Sequence, residues 1–186
     1  MELFNSLINY DKQLLIFLHS YGNEQWDKFW LFITNPIYWI PLFFVLFYFG
    51  YKAFGYKKTG LISFFVILSS TTSFVLVNQI KNTFQRLRPI NDYSINKSIR
   101  QLIEANDFSF VSGHSAVSFT IAFLSYWILK PKYRFAYLIF LFPILFAYSR
   151  LYLAAHFPID ILFGMILGYL IAFLFFRITS YFLAKI

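Results

Sequence analysis

His156 and Asp160 stand four residues apart in SRLYLAAHFPID, residues 149–160, where one apolar run ends and another begins. At that spacing the carboxylate can accept from one ring nitrogen and leave the other free as a nucleophile or base. Arg150 closes the preceding run, and Pro158 suits the first turn of the next helix. A second histidine, His114, follows Ser112 and Gly113 in FVSGHS, at the start of a further apolar run. Free backbone N–H groups and the positive end of a helix dipole make that position an anion site. In KNTFQRLRP, Lys81 and Arg88 close another run, and Pro89 is expected to stop its helix. Each group has a plainer reading alone: cations snorkel at helix ends, a histidine caps, and an acid complements a dipole. Together, three cations, an amide nest, two histidines and one orienting acid fit phosphoryl transfer. Cations and amides stabilise the equatorial oxygens, one histidine attacks in line, and the other protonates the leaving oxygen. Metal catalysis fits poorly, since the chain has only three histidines and no carboxylate cluster at ligand spacing. No cofactor or metal is expected.

The elements that must hold these residues are membrane elements. The 186 residues are 59% hydrophobic and 24% aromatic, with a mean hydropathy of +0.61, which points to an integral membrane protein with one domain over residues 1–186. No removable signal peptide is read at the N-terminus. With no cysteine, disulfides, thiol nucleophiles and cysteine-ligated metals are excluded. The net charge of +8 could suit nucleic acid. Its basic residues, however, sit at the ends of apolar segments, so anionic lipid is the expected partner and nucleic acid is not.

A bilayer core needs about 20 apolar residues per helix. The sequence predicts an all-α, polytopic transmembrane helical bundle with five spans, at 35–54, 61–82, 113–130, 133–151 and 158–180. Residues 3–20, interrupted by Asp11 and Lys12, are expected as an interfacial helix, with a sixth span as the alternative. NEQWDKFWLFIT follows as a second interfacial helix, with Trp26 and Trp30 at headgroup depth. Five alternating spans place Lys52, Lys57 and Lys58, then Lys130, Lys132 and Arg134, and finally Lys185 on one face, cytoplasmic by the positive-inside rule. The opposite face receives the N-terminal segment, the polar loop 90–112 and the turn 150–157, and with them all three clusters.

Other marked residues are expected to support the bundle. Gly164 and Gly168 are read as packing against a helix of the same chain in preference to a dimer seam. The hydroxyls of SSTTS, residues 69–73, are expected to bond back to their helix. Asn78 and Gln79 lie one turn before Lys81 and could support the site or bond between helices. Arg86 and Arg100 are assigned to headgroup attraction, and His19 has no assigned partner.

Lys81 with Arg88-Pro89, then Ser112-Gly113-His114, then Ser149-Arg150 with His156 and Asp160, resemble the three-part signature of the type 2 phosphatidic-acid phosphatase superfamily. Val111 departs from it, standing where that family commonly has proline. The resemblance implies a metal-independent phosphatase in which His156 attacks phosphorus to form a phosphohistidine and Asp160 holds the ring tautomer. His114 would protonate the departing oxygen, and Lys81, Arg88, Ser112, Gly113 and Arg150 would cradle the phosphate. The expected substrate is a phosphorylated membrane lipid: undecaprenyl pyrophosphate, phosphatidylglycerol phosphate, phosphatidic acid or a lipid A phosphate. The expected location is the bacterial cytoplasmic membrane, with the site facing outward. The alternatives are a phosphotransferase using the same histidine and a non-catalytic lipid-binding or transport protein. The sequence does not assign an oligomeric state.

Overall fold

The computed structural model describes residues 2–105 and 107–186, and every regular element among them is helical. These are α1 (Glu2–Ser20), α2 (Glu24–Ile33), α3 (Ile40–Phe84), α4 (Gly113–Leu129), α5 (Leu141–Tyr152) and α6 (Pro158–Leu183), joined by short 3-10 turns.

The 45-residue α3 is not one rod. Gly55 takes φ 75°, ψ 171°, a conformation that only glycine adopts readily. Across it the chain doubles back: a Cβ on Gly50 would meet the Thr59 methyl at 3.1 Å, and Phe43 and Phe47 line one groove with Val66, Ser70 and Thr71. In a straight helix the nine residues from 50 to 59 would span about 13.5 Å. The two arms, 40–54 and 56–84, therefore run antiparallel. Thr59 Oγ1 fastens the turn by donating to Gly55 O at 2.8 Å.

The second arm ends earlier than expected. Gln85 takes the left-handed conformation at φ 48° and donates its N–H to Lys81 O at 2.9 Å, which closes the helix. Pro89 is therefore not the stop. It restricts Arg88 to extended backbone, φ −72° and ψ 155°. The run expected from 133 likewise begins as a turn and becomes helical at Ala136. Among the described residues, two segments are long and apolar enough to cross a membrane, Pro36–Asn91, which contains the hairpin, and Pro158–Leu183; Gly113–Leu129 and Ala136–Tyr152 are shorter.

Helix α4 lies at the centre, against both α3 arms, α5 and α6. Its tightest contact is with α6. A Cβ on Gly164 would lie 2.7 Å from Ser112 O, and one on Gly168 would lie 2.6 Å from Ala116 O. These two glycines thus form a seam within the chain, as the sequence suggested. Thr120 lies at the same seam, donating to Ala116 O at 2.8 Å and reaching Gly168 O at 3.3 Å. Phe65, Leu124, Ile128, Ile171 and Phe175 fill the layer below. Large apolar side chains such as Phe44, Ile67, Phe74, Leu170 and Leu174 face outward, the distribution a lipid solvent favours. Residues 69–72 bond back onto their own helix, as expected, whereas the buried Ser73 hydroxyl has no partner among the described residues.

Candidate active site

The three clusters meet at one end of the bundle. His156 is fully buried in the turn between α5 and α6. Ala154, at φ 48°, reverses the chain there, and Ala155 N–H returns to Arg150 O at 2.9 Å. The two ring nitrogens have different partners. Nε2 lies 3.4 Å from Arg88 Nη1, a donor only, so the lone pair belongs on Nε2 and the proton on Nδ1. Nδ1 lies 3.4 Å from Ser109 Oγ, and Ser109 in turn makes a very short hydrogen bond to Asp160 Oδ2.

This corrects the expected direct pair. Nδ1 and Asp160 Oδ2 are 3.7 Å apart, beyond hydrogen-bond reach, and Ser109 lies between them. The carboxylate is held by other donors: Phe157 N–H at 2.9 Å and Arg86 Nη1 at 2.7 Å. Asp160 therefore also caps the first turn of α6, the role its plainer reading gave it.

Arg86, assigned from sequence to headgroup attraction, is instead a bridge. Its Nη1 holds Asp160 and its Nη2 holds the buried Asp11 of α1 at 2.6 Å. Asp11 Oδ1 also accepts from Ile159 N–H at 2.9 Å, which ties α1 to the start of α6. Burial raises the Asp11 carboxyl above its ordinary value, although the hydrogen bonds from Arg86 and Ile159 oppose the shift. Arg100 is structural too: it pairs with Asp27 at 2.8 Å and stacks over Tyr152. His19 is buried, with Nδ1 on Tyr152 O at 2.7 Å and Nε2 accepting from Arg100 N–H at 2.8 Å.

The cations stand in front of His156. Arg88 is anchored to Ala155 O at 2.8 Å, and both Arg88 and Lys81 grip Asp107, at 2.7 and 2.5 Å. Burial would raise the Asp107 carboxyl, but the Lys81 hydrogen bond and the charges of Arg88 and Lys81 prevail and hold it below its ordinary value. Burial acts on His156 in the other direction, aided by the charges of Arg88, Arg150 and Lys81, and keeps the ring well below the usual histidine range. That direction favours the neutral imidazole at neutral pH.

His114 begins α4 with its ring 4.8 Å from that of Phe146. Ser112 Oγ caps this helix by accepting from Ser115 N–H at 3.4 Å. The Ser112 N–H is already committed to Asp160 O at 3.0 Å, so the expected amide nest is left to Gly113 and His114, in the first turn, where no intrahelical acceptor exists. Arg150 is buried, with Nη1 on Thr34 Oγ1 at 2.6 Å and Nε without a partner among the described residues.

Lys81, Arg88, Asp107, Gly113 and His114 line a cavity of about 340 Å³, closed by Trp39, Phe142 and Phe146. Phe43 and Ile121 also line an apolar groove of about 650 Å³ between the α3 arms and α4, so the two cavities share a wall. Among the described residues, no group of three or more His, Cys, Asp or Glu could hold a metal. The sequence reading missed Asp11, Asp107 and Ser109, and no motif spacing marked them.

A cationic pocket thus stands beside a buried, oriented histidine at one end of a helical bundle. Comparisons with known proteins give the family. Residues 59–184 match the family model described as PAP2 superfamily. The chain is 30% identical over 185 residues to an undecaprenyl-diphosphatase of Sulfolobus acidocaldarius, covering 97% of this chain and 78% of that one. It is 27% identical over 170 residues to a lipid A 4'-phosphatase of Bacteroides thetaiotaomicron, covering 87% and 73%. Its fold is shared with the transmembrane PAP2-type phosphatidylglycerolphosphate phosphatase of Bacillus subtilis, at TM-score 0.73, 23% identity and coverage of 98% and 88%. It is also shared with LpxE of Aquifex aeolicus, at TM-score 0.67, 23% identity and coverage of 89% and 93%. The chain belongs to the PAP2 superfamily and is a membrane phosphatase.

Proposed function

We propose that this phosphatase removes a terminal phosphate from a membrane lipid, without metal, through a phosphohistidine on His156. The relay across the imidazole carries the reading: Ser109 and Asp160 hold Nδ1, and Nε2 keeps its lone pair towards the cations. In the first step Nε2 attacks phosphorus, the bond to the lipid oxygen breaks, and His114 gives that oxygen its proton. Lys81 and Arg88, with the amides of Gly113 and His114, neutralise the equatorial oxygens; Arg150 adds charge from behind, and Ser112 shapes the helix start. Asp160 and Ser109 stabilise the proton on Nδ1. In the second step His114 takes a proton from water, the phosphorus–nitrogen bond breaks, and inorganic phosphate leaves.

The apolar groove that shares Phe43 and Ile121 with the cationic cavity supports a lipid substrate, since it sets an apolar surface for the chain beside α3 and α4. The relatives named as undecaprenyl-diphosphatase and lipid A 4'-phosphatase support undecaprenyl pyrophosphate or a lipid A phosphate first. Phosphatidylglycerol phosphate and phosphatidic acid are further candidates. We place the five helical segments across the bacterial cytoplasmic membrane, with the site outward, because the lysine-rich turns lie at the opposite end. Release of inorganic phosphate in EDTA, measured for the four lipids in detergent, tests this. We expect release from one or more of them. Silence on all four, with phosphoryl transfer to an added lipid or sugar hydroxyl, would favour the transferase.

A further inference from the structure

The Asp107 carboxylate occupies the position that a phosphoryl group needs. Its Oδ2 lies 2.5 Å from Lys81 Nζ and its Oδ1 lies 2.7 Å from Arg88 Nη2, so its two oxygens each take one cation of the cradle, with charge-assisted hydrogen bonds of the type phosphate forms. Arg88 also donates from Nε to Asp107 O at 3.2 Å, while its Nη1 stands before His156 Nε2. One acidic side chain thus ties together the cations that screen the ring nitrogen. It is lightly held otherwise: its side chain is 57% exposed, and it sits in the irregular segment between Asn96–Ser98 and α4. Ser109, two residues on, is by contrast buried and fixed to Asp160. Asp107 can therefore swing outward with little disturbance of the core.

We propose that Asp107 is an internal competitor for the phosphate cradle, a specificity residue that an incoming phosphoryl group must displace. The inference rests on the phosphatase reading only in taking Lys81 and Arg88 as the phosphate cradle. A terminal phosphate brings three free oxygens and up to two charges, enough to exchange with a carboxylate of one charge and two oxygens. A phosphodiester brings one charge and two free oxygens, so it gains little over Asp107 and is disfavoured. The same competition weakens the hold on product phosphate, which Asp107 helps to expel by rebinding.

The test is calorimetric titration of inorganic phosphate into the full-length protein in detergent, for the parent, Asp107→Asn and Asp107→Glu. Asparagine keeps the size and removes the charge. We expect Asp107→Asn to bind phosphate about tenfold more tightly, the scale of losing one charge-assisted competitor. Asp107→Glu keeps the charge and should stay near the parent. In turnover of any lipid that the parent hydrolyses, KM and the phosphate inhibition constant should fall together in Asp107→Asn. Binding by Asp107→Asn that is no tighter than the parent's would overturn the inference, as would equal tightening in Asp107→Glu or absence of phosphate binding in all three proteins. Failure of the lipid-phosphatase reading registers separately, as no phosphate release from any lipid by the parent, while the calorimetric contrast remains readable.

Discussion

At the scale of residues, the site is set by who bonds to each nitrogen of His156. A direct carboxylate would accept the Nδ1 proton; here a serine hydroxyl intervenes and passes the demand to Asp160. Ser109→Ala should therefore lower kcat by roughly ten- to a hundredfold, the worth of an orienting hydrogen bond to a charged group. Ser109→Thr keeps the hydroxyl and should restore much of the loss, measured as phosphate release at saturating lipid. Equal loss in both variants would point to packing in place of hydrogen bonding. That His114, His156, Lys81, Arg88 and Arg150 belong together was legible in the sequence because motif spacing marked them. Ser109 and Asp107 were not, because they lie in a loop with no periodicity, and Arg86 read as one more surface cation because its partner, Asp11, is 75 residues away.

At the scale of elements, two contacts hold the site in register. The first is α1, whose Asp11 is buried against Arg86 and the Ile159 amide. Asp11→Ala would leave a half-buried guanidinium and a buried N–H short of a partner. We expect a stability loss of about 2–3 kcal/mol, the partial exposure of Arg86 included, seen as a lower Tm in detergent. An unchanged Tm would mean that α1 only rests on the bundle. The second is the seam between α4 and α6. Gly168→Leu places its Cβ 2.6 Å from a backbone carbonyl, so the helices must part, at a cost of about 3 kcal/mol, read from thermal unfolding. The glycine pair was legible from its spacing. The fold of α3 was legible only in part: hydropathy separated two spans, whereas the return at Gly55 depends on one residue's dihedral angles.

At the scale of the whole molecule, the proposed orientation makes a prediction that suits a chain with no cysteine. A single cysteine at Lys97, in the loop on the site's side, should react with a membrane-impermeant maleimide added to intact cells. One at Lys57, beside the α3 hairpin turn, should react only after the membrane is opened. The reverse pattern would invert the topology and place the substrate's headgroup in the cytoplasm. The lysine-rich turns carry this proposal from the sequence alone, since positive charge is counted without knowing the fold. The convergence of Lys81, His114 and His156 was readable to the same end of the bundle, but their distances needed the packed helices.

The measurement that tests the central claim most directly is rapid-quench trapping with a lipid carrying labelled terminal phosphate, in EDTA, for the parent and for His156→Ala. We expect the parent to carry an acid-labile, alkali-stable label and to release phosphate, and His156→Ala to do neither. Phosphate release by His156→Ala at the parent's rate, or turnover by the parent with no labelled protein under any quench, would contradict attack by His156.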